Sequence, residues 1–208
     1  MRRVAFLLLV AAAAATAGPA SGAVVTREDA AGRVITFDVP TSVNVNPYAS
    51  VLRRALHGDE IETVTIRFVS RATLTRSCGG GGVSCYRGRW RGGEIFLPAR
   101  GGSSTKYSLL HEYAHHLDAR YGLTSSRRWE PAARRWWWAR RIERRLRSGQ
   151  VTWDYELGWS RSIGEIFAED YVQLHARARY GIPWLARPGD AVLTALRRDV
   201  RQALAEAS

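Results

Sequence analysis

Lysine is almost absent from this chain: Lys106 is the only lysine among 31 lysine and arginine residues, although the net charge is +12. We attribute this preference for arginine to coding bias and expect no specific nucleic-acid partner. The sequence also lacks an internal repeat, which excludes coiled-coil arrays and collagen. Hydrophobic residues make up 46% and charged residues 24% of the chain, which excludes a wholly disordered protein. A length of 208 residues suits one domain with its own core.

Long apolar runs are lacking too, except for one at the start, and this excludes a multi-pass membrane protein. The run covers residues 4–17, follows two arginines and ends in small residues, which is the pattern of a secretory signal peptide. An uncleaved anchor is the weaker alternative, because a membrane span needs about 20 residues. The sequence therefore predicts a signal peptide at 1–23, cleavage after Ala23, and one domain at 24–208. We expect a secreted monomer, extracellular or associated with the cell wall, with no transmembrane span.

Cys78 and Cys85 are the only cysteines, and four glycines lie between them. In the oxidising compartment that secretion implies, two cysteines this close in sequence usually pair. A zinc finger is the alternative, but its usual ligand histidines are missing nearby. We therefore predict a disulfide that holds a glycine-rich loop.

Hydrophobic periodicity divides the chain into early strands and later helices. Two-residue alternation predicts strands at 61–69 and 94–98 and, more weakly, within 24–42, which could instead belong to a propeptide. Asn46 is expected to cap an early helix. The later helices are predicted at 103–121, 127–147, 162–180 and after Asp190. This order predicts an α+β fold rather than an alternating α/β fold.

The predicted helix at 103–121 carries His111-Glu112-Tyr113-Ala114-His115, which has the pattern H-E-x-x-H. Histidines four residues apart lie on one face of a helix, so both imidazoles can bind one Zn²⁺. Glu112 then lies beside the metal, where it can take a proton from water. A solvated helix face that matches the pattern by chance is the alternative, and five histidines in the chain make such a match rare.

A catalytic zinc site needs a third protein ligand. Metzincins would have glycine and histidine at positions 118 and 121, but this chain has aspartate and tyrosine there, so that class is excluded. Glu165 and Glu169 lie one turn apart in a later predicted helix. One of them can bind the metal while the other accepts the N–H of a ligand histidine. The alternative for Glu165 is a capping box with Ser162.

Together these motifs resemble the gluzincin clan of zinc metallopeptidases, and within it the family of the anthrax lethal factor catalytic domain and related small secreted peptidases. The family pattern H-E-x-x-H-x-x-D, followed later by E-x-F-A-E, is matched by His111, Glu112, His115, Asp118, Glu165, Phe167, Ala168 and Glu169. The resemblance implies a zincin-like fold with a small N-terminal sheet, an active-site helix and a C-terminal helical part. It also implies that Glu165 is the zinc ligand and that Glu169 supports a ligand histidine.

Three further site residues or segments follow from their position along the chain. The family has a tyrosine about seven residues before the ligand glutamate, where this chain has Gly158-Trp159, so Tyr155 is our candidate for stabilising the oxyanion. Asp118 follows the ligand histidines and is expected either to orient one of them or to pair with an arginine. The strand before the active-site helix is predicted to pair with an extended substrate, and it comprises Glu94, Ile95, Phe96 and Leu97.

The predicted helix at 127–147 is rich in arginine and tryptophan. Trp129 and Trp136 follow the helical stripe toward the core, whereas Trp137 and Trp138 do not. We favour a covering helix with a solvated arginine face over one that contacts anionic envelope polymers.

The sequence thus predicts a secreted zinc endopeptidase acting on peptides or proteins. The alternative is a non-catalytic zinc-containing protein that binds the cell envelope through this helix.

Overall fold

The computed structural model describes residues 22–80, 83–89, 92–125 and 134–207. Of the predicted signal peptide only Gly22 and Ala23 are among them, and Ala23 is the first residue of the first strand. The elements, in chain order, are β1 (Ala23–Glu28), β2 (Val34–Val39), α1 (Asn46–Arg54), β3 (Val64–Val69), α2 (Arg71–Cys78), β4 (Cys85–Arg89), β5 (Gly92–Pro98), α3 (Ser103–Tyr121), α4 (Arg135–Ala139), α5 (Ile142–Arg147), α6 (Ile163–His175) and α7 (Asp190–Ala207).

The described strands form one five-stranded sheet with the order β1-β2-β3-β5-β4. β1 and β2 form an antiparallel hairpin, β2, β3 and β5 run parallel, and β4 returns antiparallel to β5. Every second side chain of β2 and β3 is buried, as two-residue alternation requires when one face of a sheet covers a core. The sheet and the helices together make a mixed α+β fold, as predicted.

The predicted substrate strand lies inside the sheet. β5 is paired with β3 along one side and with β4 along the other, and both pairings include Glu94, Ile95 and Phe96. Leu97 is paired with β3 and is fully buried. The prediction that these four residues pair with substrate is therefore wrong, because neighbouring strands already occupy the backbone groups. Among the described strands, β4 lies next to β5 and forms that edge of the sheet.

α3 connects the sheet to the later helices and contributes buried side chains to the core. It contacts β5 and β4 on one side and α6 on the other. Tyr113 of α3 and Tyr171 of α6 are fully buried, with ring centroids 6.5 Å apart. The helix ends at Gly122, whose φ of 67° is left-handed and suits glycine. In the described part of the chain, no helix combines the length and apolarity that a membrane crossing would require.

The helix predicted at 127–147 is not continuous. Residues 126–133 lie outside the described residues, and the remainder forms two short helices, α4 and α5, separated at Arg140 and Arg141. Arg141 has a left-handed φ of 56°, which interrupts the helical backbone. Arg140 turns inward and forms an ion pair with Asp170 of α6. This tertiary contact accounts for an interruption that local periodicity did not indicate.

One tryptophan of this region, Trp137, is more buried than predicted. Trp136 is in the core as expected, and Trp129 lies outside the described residues. Trp137 was expected outside the core but is only 4% exposed, because its ring packs against Trp153 with centroids 5.3 Å apart. Trp138 is exposed.

A fully buried carboxylate ties α4 to α6. Asp170 accepts hydrogen bonds from Arg140 Nε at 2.6 Å, from Trp136 Nε1 at 2.8 Å and from Tyr180 Oη at 3.0 Å. Arg140 also donates to the carbonyl oxygen of Ala186 at 2.9 Å. The charge of Asp170 is therefore paired and hydrogen-bonded, which burial of a carboxylate requires.

Three element boundaries differ from the sequence prediction. Val45, not Asn46, is the cap residue of α1, because Asn46 is already helical. The third strand begins at Val64 because residues 59–63 form a 3₁₀ turn. α6 ends at His175 rather than at Tyr180.

Candidate metal centre and cavity

The two histidines of α3 face the first turns of α6. His111 Nε2 lies 2.8 Å from Glu165 Oε2, and His115 Nε2 lies 3.4 Å from Glu165 Oε1. The two Nε2 atoms are 3.3 Å apart. His111 also approaches Glu169, one turn further along α6, so the two helices pack antiparallel. This packing brings together side chains that are 54 residues apart in sequence.

The distances within this cluster fit a small metal ion. His111, His115 and Glu165 each offer one donor atom, and the three atoms lie within 4.8 Å of one another. Donors bound at about 2.0–2.1 Å around one tetrahedral ion lie about 3.4 Å apart. Two observed separations, 3.3 Å between the Nε2 atoms and 3.4 Å from His115 Nε2 to Glu165 Oε1, match this spacing. His111 Nε2 and Glu165 Oε2 lie closer, at the hydrogen-bond distance of 2.8 Å. The cluster could therefore hold a metal ion.

Both ring nitrogens of His111 and one face of its imidazole have contacts with neighbouring side chains. Its Nδ1 lies 3.2 Å from Glu169 Oε1, while Nε2 faces Glu165. The indole of Trp159 stacks on the imidazole, with ring centroids 5.9 Å apart. Burial lowers the pKa of His111, but the hydrogen bonds to Glu165 and Glu169 outweigh it and raise the pKa to about 10. The ring orientation is thus fixed by two carboxylates and one indole.

Glu165 is buried and faces the histidines rather than the start of its own helix. Burial favours its neutral form, but the hydrogen bonds with His111 and His115 outweigh this and hold the pKa of Glu165 well below its usual range. Tyr155 Oη donates to Glu165 Oε1 at 2.7 Å. Ser162 makes no side-chain capping bond to α6, so the capping-box alternative for Glu165 is not formed.

Glu112 lies beside the cluster and is not part of the donor set. It is only 6% exposed, and Ser84 Oγ donates to its Oε1 at 2.6 Å. Ser84 precedes Cys85, whose sulfur lies 2.03 Å from that of Cys78, at disulfide distance as predicted. The disulfide joins the start of β4 to the end of α2 and thereby restricts where Ser84 can lie.

Asp118 and His116 have structural contacts. Both carboxylate oxygens of Asp118 accept bonds from Thr124, from its N–H at 2.6 Å and its hydroxyl at 2.7 Å. Burial raises the pKa of Asp118, although these bonds and the nearby His115 oppose the rise. Asp118 therefore fixes the turn after α3, and within the described residues it has neither of the contacts predicted for it. His116 is buried and bonds through Nε2 with the Glu60 carbonyl at 2.9 Å.

The cluster opens into a cavity of about 1030 Å³. Its wall contains all five predicted metal and catalytic residues, namely His111, Glu112, His115, Tyr155 and Glu165. The start of β4, from Ser84 to Tyr86, borders the same cavity, so the sheet edge lies beside the cluster. Exposed side chains of Val83, Tyr107 and Trp159 complete an apolar rim.

The resemblance to gluzincins depends on the two helix motifs. No family model, no curated protein and no solved structure matches this chain. The geometry of the cluster and its cavity is therefore the basis for a functional interpretation.

Sequence reasoning missed two residues that contact the site. Ser84 bonds to Glu112 and directly precedes the edge strand β4. The sequence did not predict this strand, because Cys85–Arg89 lacks apolar alternation. The position of Ser84 next to a cysteine was the available signal, because a disulfide fixes its neighbours. Trp159 occupies the stretch where the gluzincin family has a tyrosine, and that substitution was the signal for it.

Most arginines of the segment 134–147 have partners within the protein. The paired ones are Arg134 with Ser125, Arg135 with Asp199, Arg140 with Asp170, Arg145 with Gln150, and Arg147 with Glu143. Arg141 and Arg144 are exposed, and among the described residues their side chains have no hydrogen bond or ion pair. Of the paired arginines, only Arg135 and Arg140 bond to another helix, α7 and α6 respectively.

Proposed function

We propose that this chain is a secreted zinc endopeptidase with a zincin-like fold. The observation that best supports the proposal is the position of Glu112, which follows a donor histidine, lies outside the donor set and lines the same cavity. A purely structural metal site has no need for such a carboxylate. Two imidazoles and one carboxylate at tetrahedral spacing favour zinc over harder cations. The paired cysteines support an oxidising compartment and hence secretion.

His111, His115 and Glu165 would hold the metal ion. When bound, the ion supplies Lewis acidity that lowers the pKa of water and polarises a peptide carbonyl. Glu112 acts as general base and accepts the proton of the attacking water at Oε2, because Ser84 Oγ already occupies Oε1. The same carboxyl group then donates that proton to the nitrogen of the leaving amine.

Tyr155 and β4 would position the substrate. The Tyr155 hydroxyl lies in the cavity and can exchange its bond with Glu165 for one to the substrate oxyanion. β4 would take over the role first assigned to β5, since its outer side has no strand partner among the described residues. An extended peptide could add to that edge through backbone hydrogen bonds.

The envelope-binding alternative has less support. It needs a surface of free arginines, but five of the seven arginines in 134–147 bond to partners within the protein. Weak attraction of anionic polymers by the net charge of +12 remains compatible with the peptidase.

The test combines metal analysis with hydrolysis. Purified protein should contain close to one zinc per chain by mass spectrometry, and it should hydrolyse casein in a way that a chelator abolishes. Glu112→Gln should retain the metal and the fold while lowering hydrolysis at least about a hundredfold, the usual scale of general base catalysis. Glu165→Gln should instead lower zinc affinity.

The matched control is Glu206→Gln, which removes an exposed carboxylate near the end of α7 and should change neither property. Two results would contradict the proposal. One is zinc retained in a His111→Ala, His115→Ala double variant. The other is equal metal content and equal activity in Glu112→Gln and Glu165→Gln.

A further inference from the structure

The loop that follows α6 is fixed against the site. Ala178 is buried, and Tyr180 Oη bonds to Asp170 at 3.0 Å. Gly181 N–H donates to Glu169 Oε2 at 2.7 Å, so the carboxylate that contacts His111 also holds the loop. A Cβ atom at Gly181 would lie 2.9 Å from that carboxylate, so a larger residue would require the Glu169 side chain to shift. The loop is therefore a firm part of the cavity wall.

Arg179 is an exposed residue in the middle of this fixed loop, and it lines the cavity. No other arginine or lysine among the described residues lines it. Within the described residues Arg179 has no ion pair, although four carboxylates line the same cavity. Each of those carboxylates already has a hydrogen-bond or ion-pair partner. The partners are the histidines for Glu165, His111 and Gly181 for Glu169, Ser84 for Glu112, and Thr124 for Asp118. A guanidinium on a rigid wall with no internal partner is available to a ligand.

We propose that Arg179 binds a carboxylate of the peptide substrate and thereby sets the specificity of the site, an inference that rests on the proposed peptidase function. A carboxylate is the anionic group that peptides carry, and the guanidinium fork can accept it through two hydrogen bonds. The group can come from an Asp or Glu side chain or from the C-terminus of the peptide.

The position of the loop along α6 indicates how far Arg179 lies from the cluster. The two residues that follow Arg179 bond to Asp170 and Glu169, and along α6 the cavity is lined from Glu165 to Val172. Seven helical residues correspond to about 10 Å of axial rise, which an extended peptide covers with about three residues. The carboxylate should therefore lie within about three residues of the cleaved bond.

Peptide capture tests this without requiring turnover. The zinc-loaded full chain carrying Glu112→Gln is immobilised and exposed to a randomised heptapeptide library, and retained peptides are sequenced by mass spectrometry. One library pool ends in a free carboxylate and the other in an amide, which separates the two sources. We expect about five- to tenfold enrichment of Asp and Glu at one position in both pools, or retention of the free-acid pool alone.

Charge reversal gives the decisive comparison. Adding Arg179→Glu should remove the acidic enrichment and replace it with Lys and Arg, and 1 M NaCl should reduce the preference of the parent protein. Arg177→Glu is the matched control, because Arg177 is exposed in the same loop but does not line the cavity. It should leave the acidic preference unchanged.

The outcomes separate this inference from the proposed function. Casein hydrolysis by the wild-type chain, with no carboxylate preference or with a preference that survives Arg179→Glu, overturns the role of Arg179 and leaves the peptidase standing. A preference that depends on Arg179 in a chain that hydrolyses no casein supports carboxylate binding and overturns the peptidase. Capture of no peptide by any variant overturns the role of Arg179.

Discussion

Removing the charge of Asp170 should destabilise the whole domain. Asp170 is completely buried, and Arg140 beside it is 6% exposed, so neither charge can turn to water when its partner is lost. Breaking such a pair from one side costs about 3–5 kcal/mol, because an uncompensated charge stays buried. Against a typical domain stability of about 5–15 kcal/mol, this is at least about a fifth of the total.

A double-mutant cycle measures the interaction. Asp170→Asn and Arg140→Met should each lower the free energy of unfolding by about 3–5 kcal/mol, and the double variant should lose no more than one of them alone. The coupling free energy is then about 3–5 kcal/mol. Denaturation by guanidinium, followed by tryptophan fluorescence and circular dichroism, supplies the four values.

The exposed pair Arg147–Glu143 is the matched control. Its side chains are 76% and 43% exposed, so Arg147→Met and Glu143→Gln should couple by no more than about 0.5 kcal/mol. If the Asp170 cycle gives a coupling as small as this surface pair, the argument from burial is refuted.

Three further predictions concern the metal site, the cysteines and acid stability. Glu169→Gln should weaken zinc binding about 10–100-fold, less than Glu165→Gln does, and an equal loss in competitive chelator titrations would reverse the roles of the two glutamates. Thiol titration of unfolded, unreduced protein should find no free thiol at Cys78 or Cys85, whereas two titratable thiols in protein from its native compartment would refute the pairing. Burial lowers the pKa of His175 to about 4. As pH falls below about 6.5, His175 therefore takes up a proton in the unfolded chain before it does so in the folded protein. This difference should lower the free energy of unfolding by about 2–3 kcal/mol between pH 7 and pH 4.5. His175→Gln should remove that part of the pH dependence in denaturation curves at pH 7 and pH 4.5, and an unchanged dependence would show that His175 is not its source.

Helix α3, which carries the two donor histidines, was the most predictable element because its signals are local. α3 runs from Ser103 to Tyr121 and ends at Gly122, where the sequence places a stop. The i, i+4 histidines and the spacing of Glu165 and Glu169 likewise depend only on helical geometry. Tertiary packing then placed these predicted groups in one cluster.

Features set by distant contacts were not predictable in this way. The order of strands in a sheet depends on contacts between distant segments, so local alternation indicated neither the interior position of β5 nor the edge strand β4. The interruption at Arg140 depends on Asp170, a partner 30 residues away. Ser84 reaches Glu112 across 28 residues, through a loop whose path the disulfide determines.

The edge strand β4 also bears on whether copies of this chain associate. An exposed strand edge can pair with the same edge of another molecule and start aggregation, and short, positively charged edges oppose this. β4 is five residues long, contains Gly88, and exposes Arg87 and Arg89. Two such edges meeting would bring arginines together in a protein that already carries a net charge of +12. The open edge beside the His111–His115–Glu165 cluster is thus protected against self-association by like-charge repulsion.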